Sequence, residues 1–210
     1  KIQGRLYRAQ PGRKTLKFTK DKKNYFLKLH TGVGWREILK NLIQGRWPIL
    51  GAQNEVRALQ VLAKEDFMPT LVGYGWCGYN PARQLSFIIT EALENTLSLE
   101  DFCGAWAKQP PVPKLKWALI RKLANLARTI HDAGVNHRDF YLCHVLLDLA
   151  AGLDPLQIKL FVIDWHRAQL RSAVPWRWRV KDIAGLYFSA LDLKLTQRDL
   201  YRFMKTYNFP

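Results

Sequence analysis

The stretch VNHRDFYLCHVLLD, residues 135–148, decides the fold, because within a few residues a charged loop gives way to an apolar strand. Directly before it, residues 114–133 carry apolar side chains at helical spacing, and Gly134 stands where such a helix is expected to stop. A second apolar run, within FVIDWH at residues 161–166, ends at Asp164. The order is therefore helix, charged loop, strand, and a second strand that delivers an aspartate.

This order is typical of the catalytic loop and the metal-binding loop of protein kinases. It makes His137, Arg138 and Asp139 the candidate catalytic residues and Asp164 a candidate metal ligand. A His-Arg-Asp triplet by itself also occurs in salt-bridged surface loops, so the prediction depends on partners elsewhere in the chain.

Two residues far upstream are the expected partners. Lys28 ends the apolar run YFLK, where a charge without a partner would be costly, and a kinase needs a cation here to reach the α- and β-phosphates of ATP. Glu55 opens the following helix and is the best partner for Lys28. The alternative is that Glu55 only interacts with the dipole of its own helix.

The chain divides into a strand-rich part and a helical part. Strands are predicted at residues 2–9, 15–19, 25–29, 71–76 and 85–90, and a helix at residues 54–62. Beyond residue 97 the period is helical, and Ser98 with Asp101 and Thr196 with Asp199 resemble capping boxes for helices at residues 99–106 and 200–207. We therefore predict an α+β, protein-kinase-like bilobal fold. Its N-lobe, residues 1–92, is an antiparallel sheet with one helix, and its C-lobe, residues 93–210, is mainly helical.

Composition limits the class of protein. The 210 residues include 33 Lys and Arg against 17 Asp and Glu, and the net charge of +16 favours an anionic partner. Three cysteines without a C-x-x-C pair fit a reducing cytoplasm. No apolar run approaches the roughly 20 residues that span a bilayer, and no signal peptide is recognisable. Since Lys1 already begins a strand-like run, we expect an N-terminal segment to be missing.

Beyond the kinase pattern, the sequence resembles the lipopolysaccharide core heptose(I) kinases, the WaaP/RfaP family of Gram-negative bacteria. The resemblance covers essentially the whole chain. It is carried by LKLHTGVGW (27–35), PILGA (48–52), SFIITE (86–91), GVNHRDFYLCH (134–144), VIDWHRAQLR (162–171) and KDIAGLYFSAL (181–191).

This resemblance implies transfer of phosphate from ATP, with Mg²⁺, to the first heptose of the inner core at the cytoplasmic face of the inner membrane. Asp139 would accept or orient the proton of the sugar hydroxyl, Asp164 would hold Mg²⁺, and Lys28 would anchor the nucleotide. Glu91 and Leu93 would lie at the hinge, where backbone groups meet adenine.

Two further residues and one turn bear on this expectation. Asp182 matches the helix aspartate that braces the catalytic loop of kinases from behind. His144 replaces the metal-binding asparagine, although Mg²⁺ prefers oxygen ligands, so it is either a metal ligand, a group that holds Asp164 or Asp139, or a packed histidine. The turn at residues 9–14 lacks the usual glycine-rich loop.

Two basic regions suggest partners. Residues 35–50 have the composition of an interfacial amphipathic helix on the inner-membrane surface, or of a helix packed on the lobe with a solvated basic side. An acidic core glycolipid would be bound by the arginines that follow Asp164, namely Arg167, Arg171, Arg177 and Arg179. Aromatic residues among these arginines would also suit single-stranded nucleic acid, but no RNA-binding motif accompanies them. A small acidic protein on the basic face is a further partner that the charge permits.

Other functions fit the same residues. The protein would be a kinase for another core sugar, such as Kdo or the second heptose, or a protein kinase, although Tyr141 stands where serine/threonine kinases usually have lysine. Alternatively it would be an inactive kinase-fold scaffold that binds glycolipid. Retention of Lys28, Asp139 and Asp164 together argues against a scaffold.

Overall fold

The chain forms two compact units in the computed structural model, which describes residues 4–10, 12–45, 47–150 and 152–208. The sheet unit comprises Lys1–Ala63, Pro69–Ala92 and Trp165–Arg167. The helical unit comprises Lys64–Met68, Leu93–Asp164 and Ala168–Pro210. The main boundary between the units lies between Ala92 and Leu93. Two short segments, Lys64–Met68 and Trp165–Arg167, belong to the unit on the other side of that boundary.

The sheet unit is built on five antiparallel strands in the order β1-β2-β3-β5-β4. Their bounds are β1 (Arg5–Gln10), β2 (Arg13–Lys20), β3 (Lys23–His30), β4 (Leu71–Cys77) and β5 (Leu85–Glu91). Asp21 and Lys22 connect β2 to β3 with φ of +50° and +62°, as in the two-residue turns whose twist matches that of the strands. The first three predicted strands and their antiparallel pairing are confirmed, except that residues 2 and 3 of the first strand lie outside the described residues.

Two helices, α1 (Gly34–Ile43) and α2 (Gln53–Val61), separate β3 from β4. Helix α2 is the one predicted at residues 54–62. Helix α1 accounts for the amphipathic stretch, but the prediction that it extends to residue 50 was wrong. It ends at Ile43 because Gly45 adopts φ +63°, and its backbone N–H bonds the carbonyl of Leu42 at 2.9 Å.

The described part of the helical unit combines α-helices with short strands. Its elements are β6 (Thr96–Ser98), α3 (Leu99–Cys103), α4 (Pro113–Asp132), β7 (Val135–Asn136), β8 (Val145–Asp148), β9 (Leu160–Val162), β10 (Gln169–Leu170), α5 (Trp176–Ser189) and α6 (Gln197–Tyr207). The strands form a three-stranded sheet, β6-β8-β9, and a two-stranded one, β7-β10. Helix α4 buries one apolar face, including Leu119, Leu126 and Ile130, and packs against α6.

The helix ends follow their capping residues. Thr196 and Asp199 form the predicted capping box at the start of α6, with both reciprocal bonds present. At α3 the Ser98 Oγ accepts a hydrogen bond from the Asp101 N–H, but the helix stops at Cys103 instead of residue 106. Gly104 follows directly, and glycine is a poor helix former. Within the described ranges, no helix is both long enough and apolar enough to cross a bilayer.

Gly134, which ends α4, should not tolerate a side chain. It has φ +78°, and a Cβ built on it would clash with the Arg171 carbonyl oxygen. Gly152 has the same φ of +78° but nothing within 4 Å of its Cβ position, so it is a matched control for backbone strain alone. We expect Gly134→Ala to lower the free energy of unfolding in urea by at least about 3 kcal/mol, and Gly152→Ala by about 1 kcal/mol. Equal losses would show that the Arg171 carbonyl moves aside without cost.

Candidate catalytic site

The lysine of β3 is fixed by a buried ion pair in the sheet unit. Lys28 Nζ lies 2.6 Å from Glu55 Oε1, and the two side chains are only 17% and 4% exposed. Ile88, the register partner of Lys28 on β5, is also buried. The expected pair is thus present, and it holds the lysine extended instead of leaving it free to rotate. Removing either partner would leave a charge in a largely dry environment, which is strongly destabilising.

In the helical unit, the His-Arg-Asp loop runs from β7 to a short 3₁₀ helix, Leu142–His144. His137 is fully buried, and its Nε2–H donates to the Ile163 carbonyl at 3.0 Å. Its ring stacks between Phe140 and His144, at centroid distances of 5.5 and 6.0 Å. Burial lowers the pKa of His137 to about 4, so the ring is neutral near pH 7. His137 therefore ties the catalytic loop to the residue preceding Asp164 and does not act as a charged group.

Asp182 holds the backbone of this loop from α5. Its Oδ2 accepts the His137 N–H at 2.6 Å, and its Oδ1 accepts the Arg138 N–H at 2.8 Å. Arg138 has φ +72°, a conformation that costs a residue with a side chain of the order of 1–3 kcal/mol and persists only when neighbours enforce it. The two hydrogen bonds to a buried carboxylate supply that enforcement.

Behind Asp182 lies a chain of buried hydrogen-bonding residues that the sequence did not reveal. His131, near the end of α4, lies with Nε2 3.2 Å from Asp182 Oδ2 and with Nδ1 2.7 Å from the Tyr207 hydroxyl. His131 and Tyr207 are almost completely buried. The only signal in the sequence was a histidine on the apolar face of α4. Tyr207 lies 76 positions away, and only folding brings it there.

Two candidate metal ligands meet beside the loop. The backbone carbonyl of Asp139 accepts a hydrogen bond from His144 Nδ1 at 2.7 Å. Since a carbonyl cannot donate, Nδ1 carries the proton, and in the neutral ring Nε2 presents a lone pair. Nε2 lies 3.8 Å from Asp164 Oδ2, and Asp164 has φ +64°. The pair offers one oxygen and one nitrogen, and no cluster of three His, Cys, Asp or Glu side chains suited to a metal occurs among the described residues.

A cluster of cations surrounds one indole ring on α5. Arg171, Arg177 and Lys181 lie over Trp178 at 5.4, 5.2 and 4.6 Å from its centroid. Burial, and next the charge of Arg177, lower the pKa of Arg171. Arg171 also donates to the side chains of Asn136 and Gln169, which fixes it beside the catalytic loop. We refer to Arg171, Arg177 and Lys181 with Trp178 as the cation cluster.

The remaining predicted site residues lie in other surroundings. Arg179 is held by Asp132 Oδ1 at 2.9 Å and by the carbonyls of Val174 and His131, so its guanidinium is engaged within the fold. Arg167 ends the short helix Trp165–Arg167, which belongs to the sheet unit and packs against α2. Glu91 closes β5 and pairs with Lys23 at 3.2 Å, and the Leu93 carbonyl accepts a bond from Thr96 at 3.4 Å. Their predicted roles stay predictions.

The helical unit also contains a cavity of about 340 Å³ that sequence reasoning missed. Its walls come from α3 to α6 and are almost wholly apolar, with Leu119 and Leu123 on α4, Leu186 on α5 and Phe203 on α6 among them. Each of these side chains reads as ordinary core in a helical pattern. Whether the helices close over the space or leave it open depends on their packing, which periodicity does not specify.

Comparison with known proteins agrees with this geometry. The model of the lipopolysaccharide kinase (Kdo/WaaP) family matches residues 1–207. The lipopolysaccharide core heptose(I) kinase WaaP of Pseudomonas aeruginosa PAO1 is 49% identical over 98% of this chain and 77% of its own length. The protein of the same name from Escherichia coli K12 is 48% identical over 99% of this chain and 78% of its own. A solved structure described as WaaP in complex with acyl carrier protein has a TM-score of 0.84 and 43% identity, and it covers 100% of this chain and 80% of that one.

Likeness of this extent, on top of the braced catalytic loop and the paired lysine, defines the class. The protein is a kinase of α+β, protein-kinase-like fold, a phosphotransferase that acts on a sugar hydroxyl. Within that class, the chain belongs to the lipopolysaccharide kinase (Kdo/WaaP) family. The resemblance read from the sequence and the predicted fold class are both confirmed.

The brace at Asp182 is testable without any substrate. In Asp182→Asn one of the two accepting oxygens becomes an NH₂ group that would face a backbone N–H donor, so we expect the free energy of unfolding to fall by about 2–4 kcal/mol. The amide protons of His137 and Arg138 should also exchange faster with solvent. Asp192→Asn, an exposed aspartate of the same unit, should change stability by no more than about 0.5 kcal/mol. Unchanged exchange at both amides would contradict the role assigned to Asp182.

Proposed function

We propose that this kinase transfers the γ-phosphoryl group of ATP to the first heptose of the lipopolysaccharide inner core. The observation that carries the proposal is the buried, braced His137-Arg138-Asp139 loop in a chain nearly half identical to two proteins named as heptose(I) kinases. The acceptor is taken from those relatives. The chemistry is argued from this chain's own side chains.

Asp139 is the residue proposed to meet the acceptor. It follows a backbone position that Asp182 holds rigidly, and a carboxylate fixed in this way can orient a sugar hydroxyl and take its proton as the phosphoryl group is transferred. His137 and Arg138 then act through position, because one anchors the loop by its ring and the other by its backbone. Such rigidity matters since phosphoryl transfer depends mainly on positioning and electrostatics.

The nucleotide is proposed to bind Lys28 on β3 and the segment around the end of β5. Lys28, held extended by Glu55, is the cation proposed for the α- and β-phosphates. Glu91 and Leu93, around the end of β5, are proposed to offer backbone groups to adenine. In a kinase the lysine must stay extended, and the ion pair with Glu55 at 2.6 Å holds it so.

Asp164 is proposed to hold Mg²⁺, a hard cation suited to its carboxylate. When bound, Mg²⁺ would neutralise the charge on the transferred phosphoryl group. His144 fits an oxygen-preferring metal poorly through Nε2. It fits better as the group that keeps the Asp139 backbone in place, since Nδ1 already donates to the Asp139 carbonyl.

The cation cluster is proposed as the acceptor's anchor. A core glycolipid carries carboxylates and phosphates, which match guanidinium and ammonium groups. Arg177 and Lys181 are exposed, and Arg171 is held in place by the Asn136 and Gln169 side chains. Arg167 remains a candidate from the sheet unit, and Arg179 has the weakest case because its guanidinium is already engaged.

A direct test is transfer of labelled phosphate from ATP, with Mg²⁺, to dephosphorylated core lipopolysaccharide. Asp139→Ala should lower the rate at least about a hundredfold, the low end for losing a general base, while ATP binding is kept. Asp154→Ala, an exposed aspartate of the same unit, is the control and should keep the parent rate. Product analysis would locate the phosphate on the first heptose.

Other results of this assay would change the proposed acceptor or the proposed activity. Transfer to Kdo or to the second heptose would replace the acceptor and keep the roles of Asp139 and Lys28. Transfer only to protein would make this a protein kinase. Binding of ATP and glycolipid without any transfer would leave the scaffold hypothesis in place of catalysis.

A second proposal concerns a protein partner: this chain binds an acyl carrier protein. Three features support it. One solved relative is described in complex with such a protein, the net charge of +16 suits a small acidic partner, and the helical unit contains the apolar cavity of about 340 Å³. A carrier protein delivers an acyl chain, and an apolar cavity of this kind would shelter one from water.

The cavity's part in this complex can be separated from that of charge. An acyl carrier protein with a fatty acyl chain should bind at least about tenfold more tightly than the same carrier protein without it, because each buried methylene adds to the affinity. Binding of both forms should weaken as salt rises. Isothermal titration calorimetry would measure both effects. Equal affinity for the two forms would contradict the role of the cavity while leaving a charge-driven complex.

The place of action is proposed to be the cytoplasmic face of the inner membrane, where ATP and a lipid-anchored acceptor are both available. A protein that works there on a lipid-anchored sugar would bind the membrane peripherally.

A further inference from the structure

Helix α1 leaves most of its apolar side chains uncovered. Of its large apolar residues, only Ile38 is buried, at 5% exposure. Trp35 and Leu39 are each 53% exposed, Leu42 is 49% exposed and Ile43 is 86% exposed. A helix on the surface of a globular protein ordinarily turns such residues toward the core. In α1, of the large apolar residues, only Ile38 packs into the core.

The uncovered residues form one continuous face. Position 39 is four residues from 35 and three and four residues from 42 and 43, and Cβ atoms at that spacing lie along the same side of a helix. Trp47, shortly beyond the helix, is 82% exposed. Single exposed apolar residues are normal on any protein, but a contiguous apolar face marks an interaction site.

A backbone hydrogen bond joins this helix to a neighbouring turn of the sheet unit. The Gly34 N–H donates to the Ala82 carbonyl at 3.0 Å, which fixes the start of α1 against the β4–β5 turn. The same turn carries Tyr79, fully exposed, and Arg83, also exposed. Exposed tryptophan and tyrosine rings thus accompany the aliphatic side chains of α1 and of the turn that is hydrogen-bonded to it. We call Trp35, Leu39, Leu42, Ile43 and Trp47 with Tyr79 the α1 surface.

Its charged rim is positive. Arg36 and Lys40 on α1, like Arg83 in the turn, are exposed. The single acid of α1, Glu37, lies 3.5 Å from Lys40 and 2.9 Å from the Asn41 amide, so its charge is partly offset. The whole sheet unit carries 16 of the 33 lysines and arginines but only 4 of the 17 aspartates and glutamates. Most of the net positive charge of the chain thus belongs to the unit that bears the α1 surface.

We propose that the α1 surface is a membrane-docking site that takes the headgroup region of an anionic lipid bilayer. An amphipathic helix with bulky apolar and aromatic residues on one side and basic residues beside them lies in the plane of such an interface. Tryptophan and tyrosine favour this depth because their rings have an apolar body and a polar edge. A basic unit is drawn to anionic headgroups, whereas a purely apolar protein groove would gain nothing from that charge.

This docking site is independent of the chemistry proposed for Asp139, since lipid binding requires neither ATP nor acceptor. Docking affects that chemistry because it confines the protein to the membrane surface. A protein held to the bilayer by α1 searches for a lipid-anchored acceptor in two dimensions, so the acceptor's effective concentration rises without any new contact to it.

The test is co-flotation of the full chain with vesicles of phosphatidylethanolamine and phosphatidylglycerol, compared with vesicles of phosphatidylcholine alone. The unchanged protein should bind the anionic vesicles, and binding should fall as salt rises. The pair Leu39→Gln and Ile43→Gln should reduce the partition coefficient at least about tenfold, because two apolar side chains no longer enter the interface. Glutamine keeps the charge unchanged and is a good helix former.

A matched control comes from a loop of the helical unit. Leu153 and Leu156 are 44% and 93% exposed, close to the values for Leu39 and Ile43, so Leu153→Gln with Leu156→Gln removes similar apolar surface elsewhere. That pair should bind vesicles within about twofold of the unchanged protein.

Several outcomes would overturn the proposal. These are failure of the unchanged protein to bind anionic vesicles at low salt, equal binding to both vesicle types, or equal loss in the two variant pairs. Gel filtration without vesicles gives a further check. A dimer that Leu39→Gln with Ile43→Gln disperses would assign the α1 surface to a second copy of the chain.

Discussion

The carboxylate of Asp182 is the constraint on which the candidate site depends. It accepts the amide protons of two consecutive residues, and one of them, Arg138, has a backbone conformation that side chains disfavour. A charged acceptor buried at 2% exposure keeps its hydrogen bonds because the alternative is an unpaired charge without water. A buried Asp182 carboxylate without these two hydrogen bonds would destabilise the fold. The same energetic penalty keeps the bonds formed, and they hold the loop that carries Asp139.

Other parts of the site use the same physical principle. Lys28 and Glu55 are mutually required for the same reason, as two charges in a largely dry place. His137 is kept neutral by burial and works as an anchor between the loop and Ile163. These buried polar contacts each specify one arrangement, whereas apolar packing tolerates several. Apolar side chains are left exposed at α1, and in the helical unit they surround a cavity. Both places are proposed to bind lipid material.

Much of the fold was predictable because its signals are local. The span of α4 and the capping box of α6 depend on residues close together in the sequence, and both were predicted. Predictions failed at helix ends, where α1 stops at Ile43 and α3 at Cys103, because a single glycine outweighs a favourable pattern. In the site, Lys28 with Glu55 could be anticipated, since a charge in an apolar run needs a partner. Arg171 and Arg177 were grouped from the sequence, but their convergence with Lys181 on the Trp178 ring was not, because it joins residues ten positions apart through the turn before α5.

By itself, the sequence determined the family, the α+β class, and which residues carry charge in otherwise apolar surroundings. These follow from local pattern and residue chemistry, which do not depend on where distant segments lie. Only the tertiary structure decided which apolar residues are core, which line the cavity and which are left on the α1 surface. It also decided that His131 joins Tyr207 to Asp182 across 76 and 51 positions of chain. Burial and long-range hydrogen bonds are properties of packing, so periodicity within one helix cannot supply them.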